Sequence, residues 1–221
     1  MIDKKSIVPR TIVWLVLLVP SILLNIVLLA RQYDRPEIGV PVIGVIDGDT
    51  IVVGNKDRVR LRQIDAPELG SCGGKEAKKE LETLVQGKQV VIAEHIPDQM
   101  GRGMALLYTG RVLVNEAMLK SGWATYHHDT STKEDALKAA AAEARAANRG
   151  IYGACWSTEN KDNSTCTIKG NIDDNGVKTY FLPTCAQYKF TVIEKNRGED
   201  YFCDEREARK AGYTKAETCG K

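Results

Sequence analysis

Residues 45–68 read V-I-D-G-D-T-I-V-V, a short polar turn, then R-V-R-L-R-Q-I-D-A-P-E. They gather Asp47, Asp49, Asp65 and Glu68 with Arg58, Arg60 and Arg62. Carboxylates in pairs suit a hard cation such as calcium, which takes oxygen ligands. Guanidinium forks match phosphate oxygens and stabilise the charge that builds when a phosphodiester is attacked. These residue types in one stretch point to a metal ion and a phosphate.

The elements that must position them follow from periodicity. Ile51 and Val53, then Val59 and Leu61, alternate with Thr50, Val52, Arg58, Arg60 and Arg62 as in half-buried strands, so the arginines are expected to share a face. A hairpin turn at residues 54–57 folds the two strands together and brings Asp49 close to Asp65. Asp49, Asp65 and the backbone carbonyl of Ala66, with waters, would then make the cation shell. Asp47 has two readings, a carboxylate just outside that shell or a bond to the backbone of the tight D-G-D-T turn, and Thr50 would support the ion's waters. Glu68 is free to orient or deprotonate a water, and Arg62 joins the arginines as a substrate contact.

On these residues the chain resembles the staphylococcal nuclease (thermonuclease) family over residues 40–156. The shared pieces are I-D-G-D-T at 46–50, V-R-L-R-Q-I-D-A-P-E at 59–68, G-K-E-A at 74–77, G-R-G at 101–103 and V-N-E-A-M-L at 114–119, in order and spacing. The resemblance implies calcium ligands at Asp49, Asp65 and Ala66, catalytic arginines at Arg60 and Arg102, and a catalytic glutamate at Glu68. It implies an OB-fold barrel of five strands and three helices. It also implies hydrolysis of DNA and RNA, single-stranded or frayed, with the 5'-oxygen leaving and 3'-phosphate ends produced. Where the family closes its nucleotide pocket with lysine and tyrosines, this sequence has Gln99, Met100, His128 and Thr130, leaving Tyr126 or His127 to stack on a base.

At 221 residues the chain has room for one ordinary domain and a smaller module. A formal charge of +2 excludes a binder working by bulk electrostatics, so attraction for nucleic acid must be local. The six cysteines, 72, 155, 166, 185, 203 and 219, contain no C-x-x-C and read as disulfides of an oxidising compartment.

In chain order, residues 1–10 are short and basic, and 11–30 carry no charge and are mostly aliphatic. Twenty residues at about 1.5 Å each span about 30 Å, a bilayer's hydrocarbon core. They read as an uncleaved transmembrane signal anchor, with a cytoplasmic N-terminus and the remainder facing the periplasm or cell exterior. Residues 31–39 form a tether. Strands are predicted over 40–46, 89–93 and 104–109, and helices over 75–86, 114–120 and 131–148, the last opened by a Ser131/Glu134 capping box. Cys155 is expected to pair with Cys72, tying the carboxy end to the Gly-rich loop at 68–74.

Residues 157–165 read as a polar linker and 166–221 as a small disulfide-rich α/β module, with strands over Lys178–Pro183 and Tyr188–Ile193 and a helix near 204–211. It resembles a module appended to some bacterial thermonuclease homologues, without implied chemistry. So small a core needs staples. Cys166–Cys203 with Cys185–Cys219 is the pairing assigned among three, and a four-cysteine zinc site is the alternative. The fold class is thus α+β, mainly β with helices. The expected protein is a monomeric nuclease with calcium as cofactor, nucleic acid and membrane as partners, and no protein partner. The alternative is a non-catalytic OB-type nucleic-acid-binding or envelope interaction protein.

Overall fold

A computed structural model describes residues 19–26, 39–98 and 101–219. The chain divides into two compact units, Met1–Ile38 and Gly39–Lys221. In the first, residues 19–26 are helical (α1). The rest of the expected anchor at 11–30, the basic start at 1–10 and the tether up to residue 38 lie outside the described residues. Among the described residues no helix is long and apolar enough to cross a membrane.

The second unit is built on β1 (Val40–Val45), β2 (Thr50–Val53), β3 (Arg58–Leu61), β5 (Gln89–Pro97) and β6 (Gly103–Thr109). β1 pairs with β2, β2 with β3, β3 with β6, β6 with β5 and β5 with β1, so the pairings close into a ring. Within this ring β3 with β6 is the parallel pair. Ile51, Val53, Val59 and Leu61 are buried, as the alternation requires. β1 is irregular between Val42 and Gly44. β5 runs beyond the predicted stretch, with an irregularity between Ala93 and Ile96. Two short pairs complete the strands here: β7 (Val112–Leu113) extends β6, and β4 (Ile64–Asp65) pairs with β8 (Thr125–Tyr126).

α2 (Gly74–Val85) buries Ala77, Leu81 and Val85 on one stripe. α3 (Val114–Ser121) ends at Gly122, whose φ of 78° is the left-handed cap that glycine adopts without strain. α4 (Glu134–Ala146) buries Leu137, Ala140, Ala141 and Ala144. These faces share one core with the ring, where Leu81, Leu106, Leu107, Leu119 and Leu137 are fully buried. Each such side chain contributes about 1.5–3 kcal/mol. The Ser131/Glu134 capping box does not form. Ser131 Oγ donates to Gln63 Oε1 and accepts from Lys133 N at 3.0 Å, the Glu134 carboxylate is taken by Lys138, and α4 starts at Glu134 with Lys133 at its N-cap position.

α5 (Ile151–Ala154) leads to β9 (Trp156–Ser157), which pairs with β12 (Ile193–Glu194) of the C-terminal module. Lys195 N also donates to Cys155 O at 3.0 Å. The module is a sheet of β13 (Asp200–Phe202), β10 (Ile168–Ile172), β11 (Lys178–Phe181) and β14 (Thr214–Lys215). α6 (Glu205–Lys210) packs on it, capped by Asp204 accepting from Glu207 N at 2.8 Å. The strand expected over Tyr188–Ile193 is a 3-10 turn at Tyr188–Phe190 followed by β12. Buried Lys169 causes this: its Nζ donates to Tyr188 O and Thr191 O, both at 2.8 Å, curling the chain around the ammonium. The cysteines are joined as Cys72–Cys155, Cys166–Cys203 and Cys185–Cys219.

Candidate active site

Asp49 lies in the turn between β1 and β2, which is closed by Ile46 N donating to Thr50 O. Asp47 Oδ1 accepts from Asp49 N at 3.1 Å, so Asp47 holds the backbone of the D-G-D-T turn. Gly48 lets this turn approach two other segments: a Cβ there would lie 2.6 Å from the Cβ atoms of both Ala66 and Ala77. The approach presses the turn against the loop after β4. Ala66 N then donates to Asp49 Oδ2 at 3.1 Å, and Thr50 Oγ1 to Asp49 Oδ1 at 2.8 Å.

β3 faces this turn across β2. Arg60 Nη2 lies 2.7 Å from Asp49 Oδ2 and 2.6 Å from Asp65 Oδ1, bridging the two carboxylates. Both contacts use one nitrogen, and among the described residues Nε and Nη1 of Arg60 have no protein acceptor. Asp49 is 2 % exposed. Burial pushes its carboxyl up to about 7, against the downward pull of Arg60 and the Ala66 N–H. A buried carboxylate with a second one beside it and one guanidinium between them leaves negative charge over.

That surplus fits a divalent cation. Asp49, Asp65 and the Ala66 carbonyl would hold it, and all are hard oxygen donors. Among the described residues no group of three or more His, Cys, Asp or Glu could hold a metal. Two carboxylates completed by carbonyl and water match calcium, and the donor set is not that of a structural zinc site.

Glu68 is exposed one turn of chain beyond Asp65. With Asp65, Ala66, Tyr126 and His127 it lines a groove of about 1080 Å³. Tyr126 is placed there by β4 pairing with β8, where it registers with Ile64.

Two expected site residues stand elsewhere. Arg62, expected as a substrate contact, is turned inward: it is 7 % exposed, and its guanidinium binds Asp129 and Thr130 O and lies 3.6 Å from Glu94. β3 stops at Leu61, and Gln63 has φ 62°, so the alternation that put Arg62 beside Arg60 breaks there. The Asp129 hydrogen bond raises the Arg62 pKa and holds Asp129 below the usual carboxylate range.

Arg102 precedes Gly103, which registers with Val59, so it is near Arg60 along the sheet. Its side chain, however, is turned to Asp98, with Nε 2.6 Å from Oδ2. It lines a second concavity of about 520 Å³ with Arg58 and His95. Among the described residues no bond links Arg102 to Asp49, Arg60, Asp65 or Glu68.

Sequence reasoning missed Asn115. Fully buried, it accepts from Leu107 N at 2.9 Å and donates to Arg62 O at 2.8 Å and Ala105 O at 3.2 Å, fixing the chain where β3 leaves the ring. Its signal was an amide in the first turn of an otherwise apolar helix face.

An oxygen-rich acid pair bridged by an arginine, at the edge of a closed set of strands, defines a mixed α/β domain suited to a hard cation and a phosphate. The sequence pattern described as "Staphylococcal nuclease homologue" matches residues 58–156. The chain is 33% identical over 115 residues to an uncharacterized endonuclease of Escherichia coli O157:H7, covering 50% of this chain and 74% of that protein. It is 40% identical over 96 residues to an uncharacterized endonuclease of Haemophilus influenzae, covering 40% of this chain and 54% of that protein. A probable staphylococcal-like nuclease of rice, Oryza sativa subsp. japonica, is 40% identical over 116 residues, 52% of this chain and 31% of the rice protein. The chain thus spans less than a third of the rice protein it matches. The chain belongs to the family of staphylococcal nuclease homologues.

Proposed function

We propose that the chain is a calcium-dependent nuclease that hydrolyses phosphodiester bonds of DNA and RNA. The observation that carries this reading is the Arg60 bridge: one nitrogen touches both carboxylates, and one of these, Asp65, lines the groove that holds Glu68. Calcium, when bound by Asp49, Asp65 and the Ala66 carbonyl, supplies positive charge beside the scissile phosphate. Glu68 orients a water or takes its proton as the oxygen attacks phosphorus. Arg60 donates to the phosphate oxygens as their charge grows, and Arg102, released from Asp98, does the same beside the leaving oxygen. The P–O5' bond breaks, the 5'-oxygen is protonated, and the phosphate stays on the 3' side. The closed ring of strands is read as an OB-type barrel, which lays extended strands across one face.

The apolar run at 11–30 and the three disulfides support a single-pass membrane protein whose nuclease unit faces an oxidising compartment. A second reading, nucleic-acid binding without cleavage, draws on the engagement of Arg102 with Asp98.

Plasmid digestion by the purified full-length chain, with calcium or with chelator, separates the two. Cleavage in calcium alone is the expected result, and strand binding without product would leave the second reading standing. Glu68→Gln is expected to lower kcat about 10²–10⁴-fold with KM little changed. Wild-type turnover in that variant would remove Glu68 from the chemistry.

A further inference from the structure

The groove that begins at Asp65 and Glu68 continues past the domain that carries them. Its far wall comes from the C-terminal module. At about 1080 Å³ it exceeds the roughly 300–1,000 Å³ of a small-ligand site, so it has room for nucleotides beyond the one at the acid pair.

Three cations reach this extension: Lys138 and Arg145 from α4, and Arg197 from the module. Two of them are engaged. Lys138 Nζ is 2.6 Å from Glu134, and Arg197 is 3.1 Å from Asp174 and 3.9 Å from Glu194. Arg145 makes no close ion pair among the described residues, although its charge is felt by Glu194. Its guanidinium lies over the Trp156 ring, 4.8 Å from the centroid. That ring is itself fixed, its N–H donating to Asn196 Oδ1 at 2.9 Å and its face meeting Tyr152 at 4.8 Å in an edge arrangement. A guanidinium supported on an aromatic ring keeps its N–H fork free for a planar or tetrahedral oxyanion.

The acidic groups on the module wall are engaged with other partners. Asp173 Oδ1 accepts from Asn175 N and Val177 N, and Asp174 is paired with Arg197. Burial, with Glu199 adding to it, holds the Glu194 carboxyl above the usual range, while Arg197 and Arg145 pull it down, so Glu194 is shared between two guanidiniums. Along α4, Ala142 lies between Lys138 and Arg145 and leaves the passage open.

We propose that Arg145 is a phosphate-binding residue for a single polynucleotide strand whose scissile linkage sits at Asp65 and Glu68. The C-terminal module closes the other side of that path. Asn196 and Trp156 position the guanidinium. This rests on the nuclease reading and extends it to the nucleotides flanking the cut.

The test measures binding of a short labelled single-stranded oligonucleotide to the full-length chain, in calcium, on a Glu68→Gln background so that the strand stays intact. Adding Arg145→Gln is expected to weaken binding about five- to tenfold and to lower the slope of log Kd against log salt by about 0.7, the loss of one phosphate contact. Arg145→Lys is expected to keep the slope while recovering part of the affinity. Arg111→Gln, which removes an exposed arginine of the turn before β7, controls for net charge and is expected to change the slope far less. An unchanged slope in Arg145→Gln, or an equal effect in Arg111→Gln, overturns the proposal. Plasmid digestion by the wild type is run alongside. Cleavage combined with an Arg145-independent slope sinks this proposal alone, whereas Arg145-dependent binding without cleavage upholds the subsite and sinks the nuclease reading.

Discussion

Arg60 and Arg62 are two residues apart on one chain segment, and each meets two carboxylates, yet they do opposite work. Arg62 spends its fork on Asp129, Glu94, Glu94 O and Thr130 O and is sealed from solvent. Arg60 spends one nitrogen on Asp49 and Asp65, and its side chain remains 23% exposed. The first arrangement is satisfied and leaves nothing for a ligand. The second has acceptors in excess and donors to spare, the imbalance that a cation and a phosphate together would settle. Counting which hydrogen-bonding atoms are already used therefore separates a staple from a site where residue type cannot.

The comparison can be broken by exchanging outcomes. The largest effect is expected from Arg60→Lys, which keeps the charge but loses the fork: kcat should fall about 10²–10³-fold while the melting temperature barely moves. A large loss of stability in that variant would make Arg60 a staple after all. Arg62→Ala should do the reverse. It takes the guanidinium from Asp129 and Glu94 and should cost about 3 kcal/mol in denaturant unfolding, with turnover per folded molecule retained. Unfolding and calcium-dependent cleavage measured on both variants decide the matter.

The smallest effect sharpens the comparison through pH. Because Arg62 depresses the Asp129 pKa, Asp129 adds stability above its unfolded value near 4, and that stability is lost as pH falls through the lower folded value. The melting temperature of the wild type, measured relative to Asp129→Asn, should therefore shrink towards that of the variant on acidification below about pH 4. A constant difference down to pH 2 would deny the ion pair its role.

Much of the frame was legible because it rests on local rules. Period-two alternation located Ile51, Val53, Val59 and Leu61 in the core, and the glycine after α3 marked its end. The pairing of β2 with β3 brought Asp49 and Asp65 to one guanidinium, as the hairpin implied. What was not legible depended on partners distant in sequence. Arg62 was misplaced because alternation was carried one residue past the end of β3, where Gln63 and Asn115 turn the chain. The Ser131 hydroxyl donates to Gln63, far away in sequence, and accepts from Lys133 N, while the Glu134 carboxylate pairs with Lys138, so the reciprocal box did not form. The turn at Tyr188–Phe190 depended on Lys169, whose burial no window of sequence displays.

The contact among Gly48, Ala66 and Ala77 carries a last consequence. One missing side chain and two methyl groups act there as a mechanical stop, setting how closely the turn of Asp49 can approach the segment after Asp65. The spacing of the turn that carries Asp49 from the segment after Asp65 is thus gauged by backbone thickness and single methyl groups, which hardly deform, so the geometry of the acid pair depends on residues that carry no charge.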